Sequence, residues 1–433
     1  MKLLSDSSVK VAIFRNGTIQ LIWWIVFFPG FYSADSFAVL QMAKSGELNG
    51  MWSAPWALLV QILSLGGIYP GLVTLFLSLV FSISLTLFIY SLFSPKRSAL
   101  ISGVIHLTPL VGAMGITLWH DIPMTSGFFL VSTFCVQVRK SGVIEREALI
   151  KLLIPGMILS TFRGNGIPTL LIFLAIFVII EKEIKNKRLI IIAITFSFLT
   201  IWVSNTQMTQ KVSSDLDIAT SWIISDLSCY AGSSNGKGFV EKYIPNIGTT
   251  DSWSSPSACT WFSDADLTPA EIDKARNQIP GLLINLVKED PSFLVTTHLK
   301  RHRYLFPLPI YGIPRPPFIH STIEFSDGGV EWKFKAIAEV GRNYVRVWNY
   351  FSFLLAYAGI WFSLILVLAI TKRSRDVLSV ALLSLILITS LFVFAGISDA
   401  RYVLFVLIAG QALGLNLIIE ISKYSLRKLK REN

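Results

Sequence analysis

Charged residues are scarce in this sequence. Only 15% of its 433 residues are Asp, Glu, Lys or Arg, whereas 53% are hydrophobic and 30 are phenylalanine. Soluble globular domains have roughly 25% charged residues, so this chain is too apolar for water to be its main solvent. The composition excludes an ordinary soluble protein and predicts one that is largely embedded in lipid.

Several functional motifs are also lacking. The three cysteines form no CxxC pair and the five histidines are dispersed, so no zinc site is indicated. There is no glycine-rich phosphate loop and no internal repeat. The first apolar run, residues 18–28, leads into aromatic and acidic residues without a small-residue cleavage site. This favours a retained first span over a cleaved signal peptide.

Apolar segments, several of them short or broken by Gly and Pro, predict about ten transmembrane helices. They lie at residues 17–31, 70–93, 98–118, 122–138, 149–161, 167–181, 189–206, 348–371, 377–397 and 402–421. We therefore predict an all-α polytopic membrane protein. Its predicted parts are an N-terminal membrane domain (1–206), a large helical and irregular extracytoplasmic domain (207–347) and a C-terminal membrane domain with a basic tail (348–433).

The basic residues predict the orientation. With a cytoplasmic N-terminus, 21 of the 38 Lys and Arg fall in inside segments, 14 in residues 207–347 and three in the short outside connections. The positive-inside rule requires such an asymmetry, which predicts a multi-pass protein of the cytoplasmic (inner) membrane with both termini inside. Because this explains the net charge of +11, nucleic acid is not an expected partner.

Two segments of the first outside loop are interpreted as helices lying in the membrane interface. Residues 54–65 are too short to cross, and counting them as a span would put the later basic clusters outside. Residues 35–44 are interpreted in the same way.

The cysteines and one histidine receive structural interpretations. Cys229 and Cys259 lie in the predicted outer domain, on the oxidising side, so a disulfide between them is a candidate. Cys135 falls within a span and is interpreted as a packing residue, and His106 as a packed intramembrane polar group.

Ionisable residues gather at the predicted outer ends of spans. They occur in FYSADSF, LWHDIP, FRGNG and SDARY, and comprise Asp35, His120, Asp121, Arg163, Asp399 and Arg401, accompanied by Asn165 and Tyr402. Two acids and two arginines around one outer site suit a reaction in which an acid takes a proton from a hydroxyl while cations stabilise a phosphate leaving group.

Each of these residues also has a simpler interpretation. Polar residues at helix ends are often caps or interface anchors. Asp399 and Arg401 would then pair with each other, and Asp121 would cap a helix beginning at Ile122.

A basic cluster in HLKRHRYLF is a second candidate. Lys300, Arg301 and Arg303 precede an apolar, proline-rich stretch and would contact lipid phosphates if this segment lies on the membrane. The alternative is a solvated basic surface.

The order of these motifs resembles the GT-C class of integral membrane glycosyltransferases. The segment YSADSFAVLQMAKSGELNGMWSAPW is similar to the first outer loop of that class, with an acid followed by two interfacial helices, and TLWHDIPMTSG is similar to the second acidic segment. STFRGNG and ISDARYVL resemble arginine-containing segments of bacterial members. Many relatives have a His-Pro pair before the second interfacial helix, where this chain has Ser53, Ala54 and Pro55.

The resemblance implies transfer of a sugar from a polyprenyl-phosphate donor to a glycan, lipid or protein acceptor on the outer face, with inversion. It implies Asp35 as the base, Asp121 as its partner that orients the acceptor or holds a metal, and Arg163 and Arg401 as phosphate ligands. Mg²⁺ or Mn²⁺ is compatible with the two carboxylates but not required by them. The alternatives are a transporter or flippase of a lipid-linked sugar, and a non-catalytic subunit of a cell-envelope assembly.

Overall fold

The computed structural model describes residues 2–46, 53–192, 194, 195, 281, 284, 285, 288–292, 332–351, 355–394 and 400–432. These ranges are helical, and no strand forms within them apart from two isolated β-bridges. The all-α prediction is therefore confirmed for the described residues.

The helices of seven or more residues are numbered here in chain order. Their bounds are α1 (Ser7–Val26), α2 (Ala34–Ser45), α3 (Ala54–Leu63), α4 (Pro70–Leu92), α5 (Pro95–Leu107), α6 (Pro109–Gly115), α7 (Asp121–Ser141), α8 (Ile154–Ser160), α9 (Gly166–Ile180), α10 (Lys335–Asn349), α11 (Ala358–Lys372), α12 (Arg375–Phe394) and α13 (Leu404–Glu432). A π-helix (Leu149–Leu153) precedes α8, and a 3₁₀ turn (Ala400–Val403) precedes α13.

Four stretches of the described chain are long and apolar enough to cross a membrane. They are Pro70–Leu92, Asp121–Ser141, Arg375–Phe392 and Arg401–Arg427, and α5 with α6 makes a fifth if this bent pair is one span. The protein is thus a membrane protein, with four or five candidate crossings where about ten were expected. Several of the other predicted segments form shorter helices, such as α9 and α11.

Proline explains why the segment predicted as one span, 98–118, is broken. Pro109 has no N–H to continue the helical hydrogen-bond pattern of α5, and it forces the preceding residue out of the helical region. Thr108 accordingly adopts an extended conformation, and α5 and α6 meet at an angle of 64°. The segment predicted at 98–118 thus forms two helices that meet at a bend.

The exposed side chains of α4 indicate that the bundle lies in lipid. Leu72, Phe76, Leu79 and Ile83 recur at helical spacing and are each between 36% and 45% exposed, whereas most residues between them are buried. A continuous apolar stripe of this kind is stable in lipid but not in water.

Helix α7 lies at the centre of the bundle. Phe129 contacts Phe88 of α4 at 5.0 Å between ring centroids and Phe405 of α13 at 5.4 Å. Cys135 is fully buried in the same helix, and His106 is fully buried in α5, as predicted. Helices from both predicted membrane domains therefore pack around one helix.

Ion pairs join helices at one end of the bundle, here called the Arg139 end. Arg139 of α7 pairs with Glu181 after α9 at 2.8 Å and with Asp376 of α12 at 3.0 Å. Arg97 of α5 pairs with Glu420 of α13 at 2.9 Å. The opposite end, here called the Asp35 end, holds the candidate site.

The two helices expected in the first loop are present as α2 and α3. Most of residues 207–331, including Cys229 and Cys259, lies outside the described residues. The boundary predicted after residue 347 falls in the last turn of α10.

Candidate functional site

A backbone pairing joins the first two predicted site segments. The N–H of Phe31 donates to the carbonyl of Ile116 at 3.2 Å, and the N–H of Leu118 donates to the carbonyl of Phe31 at 3.0 Å. Gly30 permits this approach: its φ is +120°, and a Cβ there would lie 2.7 Å from the Ile116 carbonyl oxygen. Residues far apart in sequence are thus joined at the Asp35 end.

Hydrogen bonds across this pairing fix the start of α2. The Ser36 hydroxyl donates to the Leu118 carbonyl at 2.8 Å, and it accepts from the N–H of Ser33 at 3.0 Å. The indole N–H of Trp119 donates to the Ser33 hydroxyl at 2.7 Å. Asp35 lies in the turn that these bonds hold, beside the start of α7.

A close crossing of α7 and α8 brings in the third segment. A Cβ on Gly127 would lie 2.3 Å from the Ser160 hydroxyl and 2.4 Å from the Gly156 carbonyl, so only glycine fits at this contact. Small residues allow membrane helices to approach each other closely. The loop that follows α8 therefore lies beside the start of α7, where Arg163 forms an ion pair with Asp121.

The fourth segment contributes Arg401 from the 3₁₀ turn before α13. Its Nη1 donates to Oδ2 of Asp35 at 2.5 Å, and its Nε lies 4.0 Å from Oδ2 of Asp121. One guanidinium thus contacts both predicted acids.

Aromatic rings hold the two guanidinium groups. The Cζ of Arg163 lies 3.7 Å from the ring centroid of Tyr402. Arg401 lies 5.0 Å from the same ring and 4.8 Å from that of Trp119, and its Nη2 donates to the Tyr402 hydroxyl at 3.2 Å. These cation–π contacts stabilise both cations where water is largely excluded.

Burial differs sharply between the two acids. The Asp121 side chain is 0% exposed, and those of Arg163 and Arg401 are 13% and 14% exposed. Asp35 is 34% exposed. Two carboxylates and two guanidinium groups balance in charge, and Asp35 is the carboxylate that an incoming molecule can reach.

His120 is neutral in this arrangement. Its Nε2 lies 3.9 Å from Oδ2 of Asp121, which alone would favour protonation. Burial outweighs this, and with the charges of Arg163 and Arg401 it holds the pKa of His120 well below its ordinary value. The imidazole therefore adds no charge near pH 7.

One of the sequence alternatives does not match the structure, and the other involves a residue outside the described residues. Asp121 is itself the first residue of α7, with His120 at the N-cap, and neither of its oxygens accepts a hydrogen bond from the described residues. It pairs with arginines rather than capping a helix that begins at Ile122. Arg401 pairs with Asp35, while Asp399, its alternative partner, lies outside the described residues.

The remaining predicted residues are only partly placed. Asn165 lies at the N-cap of α9, two residues from Arg163, and neither its amide oxygen nor its nitrogen has a hydrogen-bond partner among the described residues. Lys300, Arg301 and Arg303 lie outside the described residues.

Sequence reasoning missed a wall of the site formed by α3. Trp56, 1% exposed, lies 6.3 Å from the His120 ring and 6.1 Å from that of Phe162, between centroids. The Ser53 hydroxyl donates to the Phe162 carbonyl at 2.7 Å. The proline-and-tryptophan start of α3 was visible in the sequence, but its partner loop was not.

The carboxylates do not suit a divalent cation in this arrangement. Asp35 and Asp121 each face a guanidinium, whose charge would repel a metal ion. The described residues contain no group of three or more His, Cys, Asp or Glu side chains placed to hold a metal.

Comparisons with protein-family models, with curated proteins and with solved structures found no match to this chain.

Proposed function

We propose that this protein is a membrane glycosyltransferase of the GT-C type. It moves a sugar from a polyprenyl-phosphate donor to a glycan, lipid or protein acceptor at the outer face of the membrane, with inversion. The observation that carries the proposal is that Arg401 contacts Asp35 and approaches Asp121, which in turn pairs with Arg163. Acids and arginines from four separate segments thus form one cluster at one end of a membrane bundle.

Asp35 is the proposed base. It is the more exposed of the two acids, so an acceptor hydroxyl reaches it more easily than it reaches Asp121. As the hydroxyl attacks the anomeric carbon, its proton passes to the Asp35 carboxylate. A single displacement of this kind inverts the anomeric centre.

Arg163 and Arg401 are the proposed ligands of the departing phosphate. Guanidinium groups donate paired hydrogen bonds that match phosphate oxygens, and their strength rises where water is excluded. Asn165 and Tyr402 lie within two residues of these arginines in sequence and are proposed to position the same group.

Asp121 receives a different role from the one first expected. Asp121 is completely buried and pairs with Arg163. We therefore propose that it holds this phosphate-binding arginine in place and does not orient the acceptor. Neutral His120 would add a hydrogen bond without adding charge. The cluster of Lys300, Arg301 and Arg303 remains a proposed contact for lipid phosphates.

Replacing Asp35 by Asn tests the proposed base. An amide cannot accept the proton, so the variant should fold and insert normally while transfer falls by at least about 100-fold. The measurement is sugar transfer by purified protein supplied with a polyprenyl-phosphate sugar and an acceptor extract.

Glu147→Gln is the matched control for that experiment. Glu147 is an exposed acid paired with Lys151 at 2.6 Å, on the segment between α7 and α8 at the Arg139 end. Its transfer should equal that of the wild type. Near-normal transfer by a folded Asp35→Asn protein would remove Asp35 from the mechanism.

A further inference from the structure

We propose that Arg401 exchanges its partner during the reaction: the phosphate of the lipid donor takes the place of the Asp35 carboxylate, and donor binding thereby frees the base. This inference rests on the proposed function and adds an order of events to it. The ligand class is a phosphate ester that carries a long apolar chain.

One lone pair of the proposed base is occupied when no ligand is bound. Oδ2 of Asp35 accepts a hydrogen bond from Nη1 of Arg401 at 2.5 Å. A carboxylate oxygen filled in this way does not present the same lone pair to an acceptor hydroxyl. That lone pair becomes available for a proton only when the ion pair opens.

Arg401 keeps its position when Asp35 leaves. The guanidinium is also held by the rings of Trp119 and Tyr402, by a hydrogen bond to the Tyr402 hydroxyl, and by Asp121 at 4.0 Å. None of these contacts involves Asp35. The cation is thus fixed, and its carboxylate partner is the exchangeable member.

The two acids differ in how easily they leave the cluster. Asp35 is 34% exposed and lies in the first turn of α2, so its side chain reaches solvent by a rotamer change. Asp121 is completely buried, and releasing it would leave a charge without its partner at high cost. An incoming anion therefore displaces Asp35.

The charges remain balanced through the chemical step. The acceptor oxygen bonds to the anomeric carbon as the carbon–oxygen bond to the phosphate breaks, and the bonding electron pair goes to the phosphate oxygen. The acceptor proton goes to the Asp35 carboxylate. One negative charge thus disappears from Asp35 as one is added to the phosphate that Arg401 now holds.

The test compares the affinity for a phosphate ligand across variants of the full chain in detergent. Asp35→Asn removes the competing carboxylate, so its Kd for polyprenyl phosphate should be roughly tenfold lower than that of the wild type. Arg401→Gln should weaken binding, and the double variant should bind as weakly as Arg401→Gln alone, because the gain requires Arg401. Inorganic phosphate, measured separately, should compete with the lipid in every protein that binds it.

Asp121→Asn separates exchange from a general effect of charge. It also removes one negative charge from the cluster, but it releases Arg163 and should not tighten binding. The exchange is wrong if Asp121→Asn tightens binding as much as Asp35→Asn does. It is also wrong if a folded Asp35→Asn protein binds polyprenyl phosphate with unchanged affinity. If Asp35→Asn binds inorganic phosphate more tightly but binds polyprenyl phosphate no more tightly, the assignment of the ligand to a lipid is wrong.

The binding result and the transfer result fail independently. If the wild type transfers sugar but Asp35→Asn binds no more tightly, the exchange is wrong and the transferase stands. If Asp35→Asn binds polyprenyl phosphate more tightly but no protein transfers sugar, the anion site stands and the transferase does not.

Discussion

At the scale of single residues, Arg401 connects the parts of the site. It contacts an acid from the first loop, approaches an acid from the start of α7, and packs on aromatic rings from two segments. A guanidinium suits this position because its planar group stacks on rings while its N–H groups donate in the plane. Lysine would keep the charge but lose most of these contacts.

His120 gives the site a dependence on pH. The folded protein holds its pKa well below the ordinary value, whereas the unfolded chain binds a proton below about pH 6.5. The contribution of the neutral imidazole to the free energy of unfolding is thus fully present above pH 6.5. It decreases as the pH falls below 6.5, by at most about 1.4 kcal/mol per pH unit.

The corresponding prediction is that lowering the pH from 7.5 to 5.5 lowers the melting temperature of the wild type more than that of His120→Gln. Glutamine lacks a titrating group at this position, so the difference between the two proteins isolates the contribution of His120. If the melting temperatures of the two proteins fall equally with pH, His120 is already protonated in the folded protein or its environment is not the one described.

The residue types of the site were predictable from the sequence, but their partners were not. Asp35, Asp121, Arg163 and Arg401 were each marked by a charge at the end of an apolar run. Their pairing depends on side-chain directions across four segments, for which spacing in the sequence gives no measure. For that reason Arg401 was assigned a local alternative partner, Asp399, and Asp121 a capping role.

At the scale of elements, the crossing of α7 and α8 sets the geometry of the site. Gly127 lies six positions after Asp121, and Ser160 lies three positions before Arg163. The contact between them lets the two helices approach closely, so the loop after α8 reaches the start of α7. A wider crossing would separate the acid from its arginine.

Gly127→Ala tests this crossing. The added methyl group would lie 2.3 Å from the Ser160 hydroxyl and 2.4 Å from a backbone oxygen, which cannot move freely. We expect a loss of about 1–3 kcal/mol in stability, as in other overpacked interiors, together with reduced transfer. Thermal melting in detergent and the transfer assay measure the two effects.

Gly17→Ala is the matched control for the crossing. It lies within α1, and a Cβ there meets no described atom within 4 Å. Alanine should leave stability unchanged or raise it by about 0.5–1 kcal/mol, because glycine is the weaker helix former. Equal melting temperatures for Gly127→Ala and the wild type would contradict the close crossing.

Apolar runs and prolines predicted the positions of the helices better than they predicted whether each helix is continuous. Pro70 and Pro95 begin helices as their fixed φ favours. Pro109, in contrast, divides one apolar run into two helices, because hydrophobicity does not register a missing backbone donor. The number of crossings is therefore harder to predict than the presence of a membrane bundle.

At the scale of the whole molecule, the two ends of the bundle differ in their contacts. The Arg139 end holds ion pairs that join helices from both halves of the chain, such as Arg139 with Asp376 and Arg97 with Glu420. The Asp35 end holds the cluster of partly exposed and buried charges. We interpret the first as a structural clamp and the second as the reactive end.

At the Asp35 end, the proposed reaction cleaves the bond between the sugar and the phosphate of the lipid donor. The direct measurement uses purified full-length protein in sealed vesicles with a polyprenyl-phosphate sugar labelled in the sugar, together with an acceptor extract. We predict that labelled sugar appears on the acceptor in equal amount to the polyprenyl phosphate released, and that a nucleotide sugar does not replace the donor. Movement of intact donor across the vesicle membrane without release of polyprenyl phosphate would contradict the account and identify a flippase instead.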